Sequence, residues 1–510
     1  MATLSSLAVS WHDALMALRF SLVVIVLLAV LSCAKPDASA TSSSTTPSSS
    51  TSAPSTPSTP SSSTPPSSAP SPTPGHAEGA LAPRWRHDDV DGALAAAAAA
   101  GRLVFVDAWA PWCHTCLSMQ RDVLERPELG ALRDVVEFVA VDTDREQNAG
   151  FVARFPMNLW PTFFVLDPAR PDGPPLAVHP GSATLEELVA LVKSARAAQH
   201  APDDTTQALQ RALAAAHAAG SDVVALTAAW DAALAVVPPG HPRRPEVVRR
   251  AAWARVRGDP LSCVRFIEAH RGEAQTGSAP GDLESALLSC ADRLAGDDAT
   301  PSADDAAARR EQQAIRQRAR PRLQALVNTP PTGAAVDDRA DTMATLAELE
   351  ETLGDHAAAV SVHEARLKLL EADAARATTE RGAQVHDYAR LNSLLFLQRG
   401  DEAVALLRAR AKALPTDYEP VARLASALHR LKRPDEAKVA AEQAIGLSYG
   451  PRRLRYRLLL ADIELARGDL TSARAALDRL IAEEATLPAA LRAPGLVDEA
   501  QAKRQTLPPP

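Results

Sequence analysis

The chain has 510 residues, enough for several domains, with a formal net charge of -8 and no long basic run, which argues against a nucleic-acid binder. Alanine is abundant and aromatic residues make up only 4% of the chain, a composition that suits small-residue helix packing more than a large β-core. Five cysteines, at positions 33, 113, 116, 263 and 290, are few enough to be read singly.

Residues 1–33 begin with a polar segment and continue into an apolar run, Phe20 to Leu31, that is short for a bilayer span and typical of a signal sequence. Val30-Leu31-Ser32-Cys33 resembles the bacterial lipobox, which makes Cys33 the expected lipidation site and mature N-terminus. The alternative is an uncleaved anchor, with the apolar stretch reaching back to Ala14 and Arg19 snorkelling. Either reading places the rest of the chain outside the cytoplasm, in the bacterial cell envelope, facing the periplasm or the exterior. Residues 34–83 are dominated by Ser, Thr and Pro. Such a segment buries too little apolar surface to offset the entropy of ordering, so a disordered, extended linker is expected, a spacer or a glycosylated stalk.

Residues 84–200 alternate helix and strand patterns. A helix is expected over about 90–100, then an apolar strand from Leu103, then a helix carrying Cys116, Met119 and Val123 at helical spacing. A strand follows at 135–141, a helix at 146–155, strands at 162–166 and 176–178, and a closing helix with Leu185, Leu188, Val189 and Val192 on one face. The order is that of an α/β domain.

Leu103 to Cys116 carries the chemistry. The strand delivers Cys113 and Cys116, spaced Cys-X-X-Cys, to the start of a helix. There, unpaired N–H groups and the dipole favour a thiolate, the species that attacks disulfides, and the second cysteine resolves the mixed disulfide. The competing readings are a zinc knuckle or a pair of core cysteines. Zinc usually takes four ligands, and no second Cys-X-X-Cys or His pair follows at finger spacing. Redox chemistry is therefore favoured, with no metal and no cofactor beyond the Cys113–Cys116 pair. Asp107 interrupts the buried strand, so its pKa is expected to be raised. Trp109 and Trp112 read either as core aromatics or as the rim of a peptide-docking surface.

Trp109-Ala-Pro-Trp-Cys-His-Thr-Cys116, with Asp107 before it and Trp160-Pro161-Thr162 after it, resembles the thioredoxin superfamily over roughly residues 84–197. Within it the likeness is to periplasmic thioredoxin-like domains such as the C-terminal domain of the disulfide interchange protein DsbD. The resemblance implies that Cys113 is the nucleophile and Cys116 the resolving thiol. It implies that Asp107 helps to move the Cys116 proton, and that Pro161 is a cis-proline against the Cys pair which, with Trp112 and Trp160, helps to bind substrate. His114 and Thr115 replace the usual Gly-Pro, and a cationic His114 would favour the thiolate and make the pair more oxidising. The lysine that neighbours the buried aspartate in thioredoxins aligns with Ala140.

Residues 203–500 read as helical. Leu397, Leu431 and Leu465 recur every 34 residues, as do Arg399, Arg433 and Arg467, and Asp401, Asp435 and Asp469. Gly400, Pro434 and Gly468 take the turn position, and each following Asp is a natural helix N-cap. The period and the helix–turn–helix unit resemble tetratricopeptide repeats over 331–500, with degenerate helix pairs over 203–330. An irregular helical bundle is the alternative. Cys263 and Cys290, on two helices turning near 275–277, are candidates for a structural disulfide.

The function read from this pattern is a lipid-anchored envelope thiol:disulfide oxidoreductase, and the resemblance to the reducing branch of the superfamily implies that it reduces protein disulfides. Its partners would be disulfide-containing substrates, an upstream redox protein that resets the pair, the membrane through the lipid, and a peptide or protein held on the repeats. The alternative is a repeat scaffold whose thioredoxin-like domain is mainly a docking module.

Overall fold

Strand β2 (Leu103–Trp109) lies at the centre of a five-stranded sheet with the order β1-β3-β2-β4-β5. In the computed structural model, the described residues are 82–508, except 158, 201–203, 220–221 and 296–302. The proposed lipid-bearing Cys33 and the linker up to residue 81 lie outside them. β3 (Val136–Asp142) and β1 (Trp85–His87) run parallel to β2, and β4 (Thr162–Leu166) and β5 (Ala177–Pro180) complete the sheet through antiparallel pairing. β1 was not among the expected strands.

Alternation along β2 divides the core into two layers. Leu103 and Phe105 face one side, where Phe138, Phe163 and helix α4 (Leu185–His200) pack. Val104, Val106 and Ala108 face the other, against α1 (Val90–Ala100) and Phe151 of α3 (Ala149–Arg154). Burying each of Phe105, Phe138 and Phe163 contributes about 2 kcal/mol. α1 starts where Asp89 accepts from Gly92 N and stops at Gly101, whose φ of 65° is the left-handed C-cap conformation. α2 (His114–Met119) begins at the cysteine motif and continues into one π-helical turn, Gln120–Leu124.

The rest of the described chain is helical, and with the sheet domain it forms one contact unit. The helices are α5 (Asp204–Ala219), α6 (Val223–Val236), α7 (Arg244–Arg255), α8 (Pro260–His270), α9 (Ala279–Asp292) and α10 (Ala303–Asn328). Then come α11 (Val336–Thr352), α12 (His356–Ala374), α13 (Asp387–Phe396), α14 (Gly400–Ala413), α15 (Tyr418–Arg430) and α16 (Pro434–Leu447). α17 (Gly450–Arg467), α18 (Leu470–Glu484) and α19 (Pro494–Thr506) complete the series. From α14 to α18 each helix packs on its sequence neighbour through short turns, as helix–turn–helix repeats do. α14 and α16 start 34 residues apart (400 and 434), and α16 and α18 start 36 apart (434 and 470).

The caps differ from expectation in two of the three units. Asp401 and Asp435 lie inside the first turns of α14 and α16, after Arg399 and Arg433. There they face the positive dipole end without capping it. The left-handed residue that ends the preceding helix is Gln398 or Lys432, two positions before the glycine or proline. In the third unit α17 runs on to Arg467, Gly468 takes the left-handed conformation, and Asp469 caps α18 by accepting from Ser472 N. In α8 and α9, Cys263 and Cys290 are both fully buried and joined by a disulfide, with Cα atoms 6.2 Å apart.

The helices also grip the sheet domain. Arg243 and Arg250 donate to the carbonyl of Val178 on edge strand β5, while Arg249 donates to His179 Nε2 and to Ser278 Oγ. An edge strand that would otherwise offer free backbone groups is thereby covered. The methyl of Thr184, ahead of α4, fits between Gly277 and Gly333, where a Cβ on either would stand 2.9 or 2.8 Å from it. At the far end, Ala149 and Val152 of α3 pack on a core formed by Leu454, Leu458 and Leu491.

Candidate active site

Cys113 is the N-cap of α2. β2 ends at Trp109, and a tight turn closed by Cys113 N donating to Ala110 O brings the sulfur to the helix start. The amide of Cys116 donates to Cys113 Sγ at 3.0 Å. One of the helix's unpaired donors thus points at that sulfur, an arrangement that stabilises a thiolate when the bond is reduced. Cys113 and Cys116 form a disulfide with Cα atoms 5.2 Å apart. Cys113 is 5% exposed and Cys116 fully buried, so Cys113 is the sulfur nearer the surface. Trp109, Trp112 and Trp160 pack around the pair, and the Trp160–Pro161 peptide bond is cis.

Asp107 lies beneath the site, 1% exposed. Burial pushes its carboxyl up to about 7, only partly offset by Gln120 Nε2 donating to Oδ2 at 3.3 Å. Oδ1 finds no partner among the described residues. The register pairs Asp107 with Ala140, so no lysine neighbours it from β3 at that position, and the polar partner is the Gln120 amide. A group poised near neutrality is suited to taking and returning a proton.

The surroundings of the motif come largely from the helices. His114 Nδ1 donates to Asp337 of α11 at 3.1 Å, and its ring stacks on Tyr388 of α13, with centroids 5.3 Å apart. Burial pushes the imidazole down, but the charge and hydrogen bond of Asp337 outweigh it and raise the pKa to about 9. The Thr115 hydroxyl also bonds Asp337, whose own pKa falls because His114 overrides its burial. Trp112 is held on three sides. Its Nε1 donates to Asp144 at 2.8 Å, its carbonyl accepts from Arg423 of α15, and the guanidinium of Arg452 of α17 lies 4.5 Å from the ring centroid. Burial, joined by the charge of Asp142, raises Asp144 to about 7. Arg423 and Arg452 share Glu419, which also accepts from Tyr456 at 2.5 Å. Tyr449 donates to Asp142.

The structure therefore brings together Asp107, Trp109, Trp112, Cys113, His114, Thr115, Cys116 and Trp160 of the residues singled out from sequence, with Pro161 joined to Trp160 through the cis bond. Cys263 and Cys290 belong to a separate helical hairpin. Gln120 and the helical residues Asp337, Tyr388, Arg423 and Arg452 were not anticipated. Nothing local marks the four helical residues, because a contact across more than 200 residues leaves no periodic signal.

Comparison with known proteins agrees with this geometry for one part of the chain. The model of a thioredoxin-like family matches residues 84–168. This domain is thioredoxin-like. No curated protein matches the chain. Among solved structures, a tetratricopeptide repeat protein from Parabacteroides merdae is 11% identical, with TM-score 0.34, over 58% of this chain and 98% of that one. The TPR2AB domain of yeast Sti1, solved as a pHSP90 complex, is 14% identical, with TM-score 0.21, over 59% and 98%. The RpL4 assembly chaperone Acl4 is 16% identical, with TM-score 0.27, over 59% and 96%. Scores this low carry no argument; the repeat reading rests on the helices of this chain.

Proposed function

We propose that this protein is a thiol:disulfide oxidoreductase that reduces protein disulfides through Cys113 and Cys116. The observation that carries the reading is the Cys113 sulfur at the N-terminus of α2, accepting from Cys116 N above a buried Asp107. With the pair reduced, the Cys113 thiolate attacks one sulfur of a substrate disulfide, and the other sulfur leaves as a thiolate and is protonated. Cys116, deprotonated towards Asp107, then attacks Cys113 Sγ. The Cys113–Cys116 bond forms, the mixed disulfide breaks, and the substrate departs as a dithiol. Two electrons pass from protein to substrate, and a dithiol protein must return them. His114, held cationic by Asp337, adds positive charge beside the nucleophile.

The expected setting is the bacterial envelope, with lipid on Cys33 as the anchor and the Ser/Thr/Pro segment as the spacer. Among the described residues no helix is long and apolar enough to cross a membrane. A docking module on a repeat scaffold is the second reading, and the near-complete burial of Cys113 is the observation in its favour.

Cys116→Ala separates the two. An oxidoreductase blocked at resolution accumulates mixed disulfides with its clients, which mass spectrometry identifies. A Cys116→Ala protein that traps nothing, beside a wild type that turns over no disulfide, leaves the scaffold reading standing.

A further inference from the structure

The edge of the thioredoxin-like domain that should meet a substrate is already occupied. α11 reaches it through Asp337, α15 through Arg423, and α17 through Arg452. A substrate protein must bring a disulfide into line with Cys113 Sγ, yet Cys113 is 5% exposed. The surface that covers it is part of the same chain.

The covering contacts, like those on β5, differ in kind from those at two other places where the helices grip the domain. At Thr184 and at α3 the grip is apolar. Over the cysteines it is polar and aromatic, and includes the His114–Asp337 ion pair, the His114–Tyr388 stack, the hydrogen bond from Arg423 to the Trp112 carbonyl and the Arg452 guanidinium on the Trp112 indole. Water can solvate these polar groups once they part, at a cost set mainly by the buried His114–Asp337 pair, whereas exposed apolar surface has no such substitute. A seal made this way opens without unfolding either partner. The helices approach the domain closely at Gly450, the first residue of α17. A Cβ there would stand 2.0 Å from the carbonyl oxygen of Asp144, which follows β3 and holds Trp112.

We infer that the helical array is a movable seal on the cysteine pair: docked, it shields Cys113, and parting of α11, α15 and α17 from Trp112 and His114 admits a protein disulfide. The inference rests on the oxidoreductase reading for its purpose and on the packing for its existence. The two are tested apart.

The test uses the reduced full chain and two maleimides, one small and one linked to a bulky polymer, with peptide mapping to read labelling at Cys113. The wild type should label slowly with the bulky reagent, far below the rate of the denatured protein. Gly450→Ala, which wedges the interface, and Arg452→Ala, which removes the cover from Trp112, should each label about tenfold faster or more, equivalent to about 1.4 kcal/mol of lost docking. Circular dichroism and the intact Cys263–Cys290 pair report that the variants remain folded. If the bulky reagent labels native wild type as fast as denatured protein, there is no seal. The inference also fails if both folded variants label at the wild-type rate. Protein-disulfide turnover is measured in parallel. Faster labelling without turnover in any variant removes the oxidoreductase reading and leaves the seal, while turnover with unchanged labelling removes the seal alone.

Discussion

Asp337→Asn is the sharpest single perturbation, because it removes one charge from α11 and should change the titration of a histidine on another domain. In the native chain His114 sits at about 9 against an ordinary 6.5. The difference of 2.5 units corresponds to about 3 kcal/mol in favour of the cationic ring. Burial opposes the charge, so without Asp337 the ring should titrate at or below 6.5. The other groups facing it are Asp341 of α11, which favours the cation, and Arg423 of α15, which opposes it; Tyr388 stacks on the ring. A raised histidine pKa stabilises the folded chain fully below 6.5, and that stabilisation is lost as pH rises through about 9. The stability gap between wild type and Asp337→Asn in urea should therefore be widest near pH 6 and close towards pH 10. Proton NMR of the imidazole, assigned with His114→Gln, gives the titration itself. A wild-type His114 that titrates near 6.5, or a stability gap that does not vary with pH, refutes the reasoning.

Asp107→Asn should stabilise the chain at pH 8. The carboxyl is raised from 3.8 to about 7, and the 3.2 units correspond to about 4 kcal/mol at most of destabilisation when it ionises. Wild-type stability from this group is full below 3.8 and falls as pH rises through about 7, so the variant's gain in Tm should be absent near pH 4. The same variant should slow disulfide turnover about 100-fold or more by removing the proton acceptor. Replacing Cys263 and Cys290 by Ala releases a 27-residue separation and should cost about 3 kcal/mol in denaturant unfolding under oxidising conditions, with turnover retained. Cys33→Ala should abolish fatty-acid labelling and move the protein from the membrane fraction to the soluble fraction.

Much of the sheet domain was legible because its signals are local. The apolar run 103–106, the β-branched stretch near 135–141 and the pattern of Leu185, Leu188, Val189 and Val192 each encode one element, although on the closing helix it is Leu191 rather than Val189 that is buried with Leu188 and Val192. β1 was not, because three residues are too few to show alternation, and Trp85 to His87 become a strand only by pairing with β3. The 34-residue period was legible from Leu397, Leu431 and Leu465. Its caps were not, because left-handed Gln398 and Lys432 start the next helix early. Asp107 was readable as a charge in an apolar strand, while its partner Gln120 was one of three successive polar residues in the π-helical turn after α2. The cover over the cysteines was invisible. His114 and Asp337 are 223 residues apart, and each alone reads as a solvated side chain. Cys113 therefore seemed more exposed in sequence than it is in the fold.

The central claim is that Cys113 and Cys116 carry electrons to protein disulfides. The most direct measurement is the rate at which the full chain, supplied with a dithiol reductant, reduces a protein disulfide, with Cys113→Ala as the control. The account predicts turnover well above the reductant's own rate in the wild type and none above it in Cys113→Ala. Equal rates for wild type, Gly450→Ala and Cys113→Ala would contradict it.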